Sequence, residues 1–140
     1  MTKSDDEIIV RAAIAAPADL PMEVAARLGD ERTFTLLTAT SGLAILRKYP
    51  TKPDQSQIRD YVETLQARFS DAAHLIKPIV FETLIRFAFG EDDAIDGVDP
   101  EGLRTAVFLL PYAIISEQHI SGEPLDAFVA EVLKAVDEEA

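Results

Sequence analysis

The chain has 140 residues, 13 Lys and Arg against 25 Asp and Glu (a formal charge of −12), and 48% hydrophobic residues. This length suits one domain with a buried core, and the apolar share excludes a disordered chain. Cysteine and tryptophan are absent, which excludes disulfides, thiolate zinc sites and a cysteine nucleophile.

Acids follow the N-terminus at Asp5, Asp6 and Glu7, where a secretory signal needs an apolar run. The longest unbroken apolar stretch, Ala106 to Ile115, has Pro111 inside it. As a helix it rises about 15 Å, half of a bilayer core, so it reads as a buried segment and not a membrane span. The expected compartment is the cytoplasm. The acidic excess repels phosphate backbones, which argues against general nucleic-acid binding. Only residues 31–70 are net basic, with Arg32, Arg47, Lys48, Lys52, Arg59 and Arg68; such a run reads as a solvated face.

Helix signals dominate the chain. Ser4 and Glu7 have the spacing of a capping box. Behind them Ile8, Ile9, Ala12, Ala13 and Ala16 share a face of a first helix that ends before Pro17. Asp19 and Pro21 start a short second helix carrying Met22, Ala25, Ala26 and Leu28, which Gly29 terminates. Asp30 caps a third helix to Lys48, with Phe34, Leu37, Leu43, Ala44 and Tyr49 on its apolar side. Ser41 and Gly42 interrupt it, either as a soft point or as a close helix–helix contact. Arg47 and Lys48 suit the negative end of its dipole.

Pro50 to Pro53 is a break, and Asp54 with Gln57 forms a second box-like start. Ile58, Tyr61, Val62, Leu65, Phe69, Ala72, Ala73 and Ile76 then keep one face, which predicts a single helix over 54–76. Pro78 demands a kink or a new start, because it lacks an N–H and disfavours helix at Lys77. Residues 79–89 are apolar nearly all round, as befits a central helix. Glu82 and Arg86 have the spacing of an ion pair there. Asp99 and Pro100 open a sixth helix to about Gln118, kinked near Pro111. Pro124 opens the last one, with Leu125, Phe128, Val129, Val132, Leu133 and Val136 inward. The predicted fold is all-α. Residues 1–140 form a single-domain antiparallel bundle of about seven helices, in which two proline-kinked apolar helices are central.

The chemical motifs are sparse. The chain has no Gly-x-Ser-x-Gly elbow, no Ser-x-x-Lys, and no glycine-rich phosphate loop. The acidic stretch 91–101 partly follows a calcium loop when Asp92 is placed first, with Asp96 and Gly97 in register. Ala94 and Leu103 then stand where two ligands belong. His74 and His119 lack the partner spacing of a metal pair. Glu82 and Glu117 are the one carboxylate pair that facing central helices would bring together.

These readings predict a non-catalytic, acidic helical protein–protein interaction module (an adaptor, regulator or assembly factor) that binds a protein partner or a second copy of itself. No enzyme activity, cofactor, catalytic residue or metal ligand is assigned. The alternatives are a small apolar-ligand binder, whose cavity proline-splayed helices would open, and a metal binder using the 91–101 loop. The candidate pocket is Phe81, Glu82, Phe87, Phe108, Tyr112, Glu117 and His119.

Overall fold

A computed structural model describes residues 4–15 and 21–139, and these residues are all-helical, with no strand among them. Their order is α1 (Asp5–Ala15), α2 (Met22–Leu28), α3 (Asp30–Lys48), α4 (Gln55–Arg68), a 3-10 segment Ser70–Leu75, α5 (Pro78–Ala88), a second 3-10 segment Asp92–Ile95, α6 (Pro100–Glu117) and α7 (Gly122–Glu139). The expected stop before Pro17 and the expected start at Asp19 lie outside the described residues.

Local chemistry sets most of the boundaries. The Glu7 backbone N–H donates to Ser4 Oγ at 3.1 Å. The Glu7 carboxylate does not reach back to complete the box; it accepts from Arg11 Nε at 2.7 Å. The buried residues of α1 are Ile9, Val10, Ala13 and Ile14, a face turned slightly from the one the spacing suggested. Gly29, at φ 90°, ends α2 and also precedes α3. Asp30 is therefore the first residue of α3 and not its cap. Asp54 and Gln57 form a full capping box, with both reciprocal bonds at 2.8 Å.

The single helix expected over 54–76 is broken. Helix α4 ends at Arg68, and Phe69 takes φ −111° and ψ 55° before the 3-10 segment. The reason lies downstream. Lys77 precedes Pro78 and must be extended (φ −88°, ψ 115°). The tighter 3-10 winding brings the chain to that point with Ile76 only 2% exposed. Gln66 Nε2 secures the turn by donating to the Ile76 carbonyl at 3.0 Å. Pro78 then stands in the first turn of α5, so it starts that helix and does not kink it. Nor is α5 buried all round, because Ile79 is 74% exposed.

Asp99 caps α6 by accepting from the Gly102 N–H at 3.2 Å, and the same oxygen accepts from Lys77 Nζ at 2.6 Å. Helix α7 begins at Gly122, at φ 60°, two residues ahead of Pro124. Its residues Phe128, Val129, Val132 and Val136 are buried.

The core is continuous and draws on every α-helix; Leu36, Ile45, Phe81, Leu110, Ile114 and Phe128 are all fully enclosed. Helix α3 touches α1, α2, α5, α6 and α7, so it holds a central position that the sequence pattern did not mark. Ser41 explains the interruption in its pattern. The side chain is fully buried, and its Oγ lies 2.9 Å from the Leu37 carbonyl and 3.0 Å from the Val107 carbonyl of α6. In an α-helix, the carbonyl of residue 107 takes the N–H of residue 111. Residue 111 is proline and has no N–H to give. The Ser41 hydroxyl supplies the missing donor, so Ser41 marks a close helix–helix contact.

Gly42 of α3 and Gly102 of α6 face opposite surroundings. A Cβ on Gly102 would lie 3.0 Å from Val80 Cγ2 and 3.3 Å from Asp99 Oδ2, whereas a Cβ on Gly42 would meet nothing within 4 Å. Gly42→Ala is expected to raise stability by about 0.5–1 kcal/mol, the usual helical penalty of glycine. Gly102→Ala is expected to show no such gain or a loss, because buried Val80 is stiff at χ1. Thermal melts of the two variants check the contrast.

Candidate functional site: an open groove along α3

Helix α3 sends Thr33, Leu36, Leu37, Thr40, Ser41, Ala44 and Ile45 into the core. Its opposite side carries Phe34, Thr38, Gly42 and Leu46 in successive turns, with Thr35, Ala39 and Leu43 beside them. With Phe87, Ala88 and Gly90 at the end of α5 and Ala135 of α7, these residues line a groove of about 440 Å³. That volume falls in the range of ligand and peptide-anchor sites. Phe34 and Leu46 stand at the two ends, each 41% exposed. The rise of a helix places them about 18 Å apart. Between them the floor is small-chained, so another backbone has room to approach closely.

One polar atom stands out in this apolar lining. Thr35 and Thr40 return their hydroxyls to the carbonyls four residues back, at 2.9 and 2.7 Å. Thr38 Oγ1 is buried and has no partner, alone among the buried side-chain polar atoms of the described residues. A buried hydroxyl without a partner is costly; Thr38 lines the groove, but this oxygen is covered by protein.

The α5 wall is pinned by Glu91. Its carboxylate accepts from Arg86 Nη2 at 2.7 Å and Arg86 Nε at 3.1 Å, and pairs with Lys52 Nζ at 3.1 Å. The hydrogen bonds from Arg86 first, and then from Lys52, hold the Glu91 carboxyl down at about 2. Arg86 is thus engaged beyond the helix end, and the ion pair expected with Glu82 is replaced.

A second cluster gathers at the C-terminal ends of α3 and α6. Tyr61 donates its hydroxyl to Glu117 Oε2 at 2.6 Å. Lys48 Nζ donates to Glu117 Oε1 at 3.3 Å and lies 4.1 Å from the centre of the Tyr61 ring. Arg68 sits 3.6 Å from Glu117 and donates to Ser116 Oγ at 2.7 Å. Burial, reinforced by the hydrogen bond to Glu117, pushes the Tyr61 hydroxyl far up, and burial raises Tyr49 to about 12. Both tyrosines therefore stay neutral, and the cluster works as an internal seam joining α3, α4 and α6.

The seven residues singled out from sequence do not form one pocket lining. Phe87 alone among them lines the groove. Phe81 is fully buried in the core, and Phe108 packs partly buried against it. Tyr112 stacks at a tilt on Phe69, with ring centres 6.1 Å apart. Glu82 is half-buried, Glu117 belongs to the tyrosine seam, and His119 is exposed with φ 53° just past α6. Within the 91–101 stretch, Glu91 is an ion-pair partner and Asp99 a helix cap. Among the described residues, no group of three or more His, Asp or Glu is placed to hold a metal ion. No helix there is long and apolar enough to cross a membrane. No protein-family model, curated protein or solved structure matches the chain.

The groove itself was hidden in the sequence pattern. Phe34 looks like a core residue there, and only the packing reveals that it is exposed, while Leu43 packs partly against the core and lines the groove.

The Glu91 clamp has a definite pH signature. An unfolded glutamate titrates near about 4.3, and the folded value is lower, so the clamp stabilises the fold above that pH and is lost as pH falls towards 2. The melting temperature of the native chain is expected to exceed that of Glu91→Gln at neutral pH, with the gap closing below about pH 4. Paired melts across that range check it.

Proposed function

We propose that the chain is a non-catalytic, acidic helical interaction module, an adaptor, regulator or assembly factor acting in the cytoplasm, that takes an apolar-faced helix of a partner protein into the α3 groove. Its scaffold on this reading is an antiparallel bundle with α6 bent at Pro111. The observation that carries the reading is the open stripe from Phe34 to Leu46, two large exposed apolar ends joined by a floor of Thr35, Thr38, Ala39 and Gly42. Helix-in-groove recognition lays the apolar face of an amphipathic helix into a hydrophobic channel, and this one is a few turns long with a floor that leaves room for its backbone. A folded domain leaves such a strip open to water only at an energetic cost, which a partner's apolar face would relieve.

A second reading, a small apolar ligand, is favoured by the groove's volume of about 440 Å³ and its largely apolar lining.

The test uses Gly42→Leu, which builds a side chain into the groove from a floor position where a Cβ meets nothing within 4 Å. A fluorescein-labelled amphipathic model helix of leucines spaced at i, i+4, i+7 and i+11 is expected to bind the native chain. On the variant it should bind at least tenfold more weakly, about 1.4 kcal/mol, with no fall in melting temperature. Equal binding to both proteins, or none to either, overturns the helix reading. Binding of decanol alone, abolished in the same variant, would establish the small-ligand reading in its place.

A further inference from the structure

The groove is asymmetric in charge, and this asymmetry narrows the partner. Contacts at both ends run α7 against the direction of α3. The Arg47 guanidinium lies 5.8 Å from the Phe128 ring centre, and Arg32 pairs with Asp137 at 3.6 Å. The flank of α7 turned towards α1 is neutralised. There Asp126 meets Arg11 at 2.8 Å, and Asp137 meets Arg32. The opposite flank carries Ala135, which lines the groove. Glu131 and Glu138 lie one turn to either side of Ala135 on that face. Both are exposed, and neither is in an ion pair among the described residues; exposed Lys134 stands one turn from each, so this flank keeps an acidic excess of one charge.

The N-terminal end of the groove adds to this. Glu31 stands one turn before Phe34 and Thr35 on the open face of α3, exposed and without an ion-pair partner among the described residues. At the Leu46 end the balance reverses. Arg47 follows Leu46, and Arg86 and Lys52 share the single carboxylate of Glu91.

We infer that the occupant of the groove is an amphipathic helix whose apolar strip is bordered by Lys or Arg on the flank that lies along α7. The inference rests on the groove reading above and adds the partner's charge. A second copy of this chain carries the same net charge of −12, and that overall repulsion opposes its approach. A basic flank on the partner meets Glu131, Glu138 and Glu31 in turn. Its long alkyl stems also extend the apolar contact at the groove edge.

The experiment uses three labelled versions of one leucine-faced helical peptide, differing only in one flank: lysine, glutamine or glutamate. Binding to the full chain is measured at about 50 and about 300 mM NaCl. The lysine peptide is expected to bind at least tenfold more tightly than the glutamine peptide at low salt and the glutamate peptide most weakly, with the differences shrinking at high salt. Glu131→Gln with Glu138→Gln should reduce the lysine advantage several-fold and leave the glutamine peptide unchanged. If the lysine and glutamine peptides bind equally and both are lost on Gly42→Leu, the charge inference fails while the groove reading stands. If no peptide binds, both fail. A dimer seen by light scattering that Gly42→Leu dissolves overturns the inference in favour of a second copy.

Discussion

One hydroxyl fixes the arrangement of this molecule. Pro111 stands inside α6, where it removes the N–H owed to the Val107 carbonyl and crowds that carbonyl sterically. Left alone, an oxygen this deep would carry the full penalty of a buried unsatisfied acceptor. Ser41 resolves it from the next helix, 3.0 Å away and 66 positions earlier in the chain. A hydrogen bond of that length is possible only if α3 and α6 approach closely and in one rotational setting. Small residues keep both helices slim: Ala106 and Ala113 on α6, and Ala44 beside Ser41 on α3, are all buried.

The rotational setting has a consequence for the surface. Once Ser41 points at α6, its neighbours Leu37, Ala44 and Ile45 turn inward with it. Helical geometry then leaves Phe34, Thr38, Gly42 and Leu46 on the outside. Helices α5 and α7 flank this outer face without closing over it. The Glu91 clamp holds the end of α5 at one edge, and Arg47 over Phe128 holds α7 at the other. The groove is thus the reverse side of the contact that organises the core, and its shape follows from the way α3 is held.

The readable parts of the fold were those decided within a few residues. Asp54 with Gln57, Asp99 with Pro100, and Gly29 each carry their effect in local backbone chemistry, and the elements begin or end where they stand. The break after Arg68 was not readable, because Ile76 stays in phase with Ile58 and Leu65. Periodicity cannot tell a continued α-helix from a 3-10 turn that tucks the same residue inward. Arg86 was assigned to Glu82 because the two share a helix face, while its actual partner, Glu91, lies past the helix end, where spacing rules no longer apply. The candidate site failed to show for a related reason. Phe34 and Leu43 are as apolar as Leu37 and Ala44, and a helix with apolar residues on two sides does not declare which side is the core. Of the residues chosen from sequence, Phe87 reached the groove because it sits in the last turn of α5, between core and surface.

Ser41 thus serves the carbonyl that Pro111 strands. A double-mutant cycle of Ser41→Ala and Pro111→Ala, followed by chemical denaturation, addresses it most directly. With Pro111 in place, loss of the hydroxyl leaves Val107 unsatisfied and should cost about 1–3 kcal/mol. With alanine at 111, the helix supplies its own N–H, and the same loss should fall to about 0.5 kcal/mol or less. Equal losses in both backgrounds, adding to within about 0.5 kcal/mol, would contradict the account.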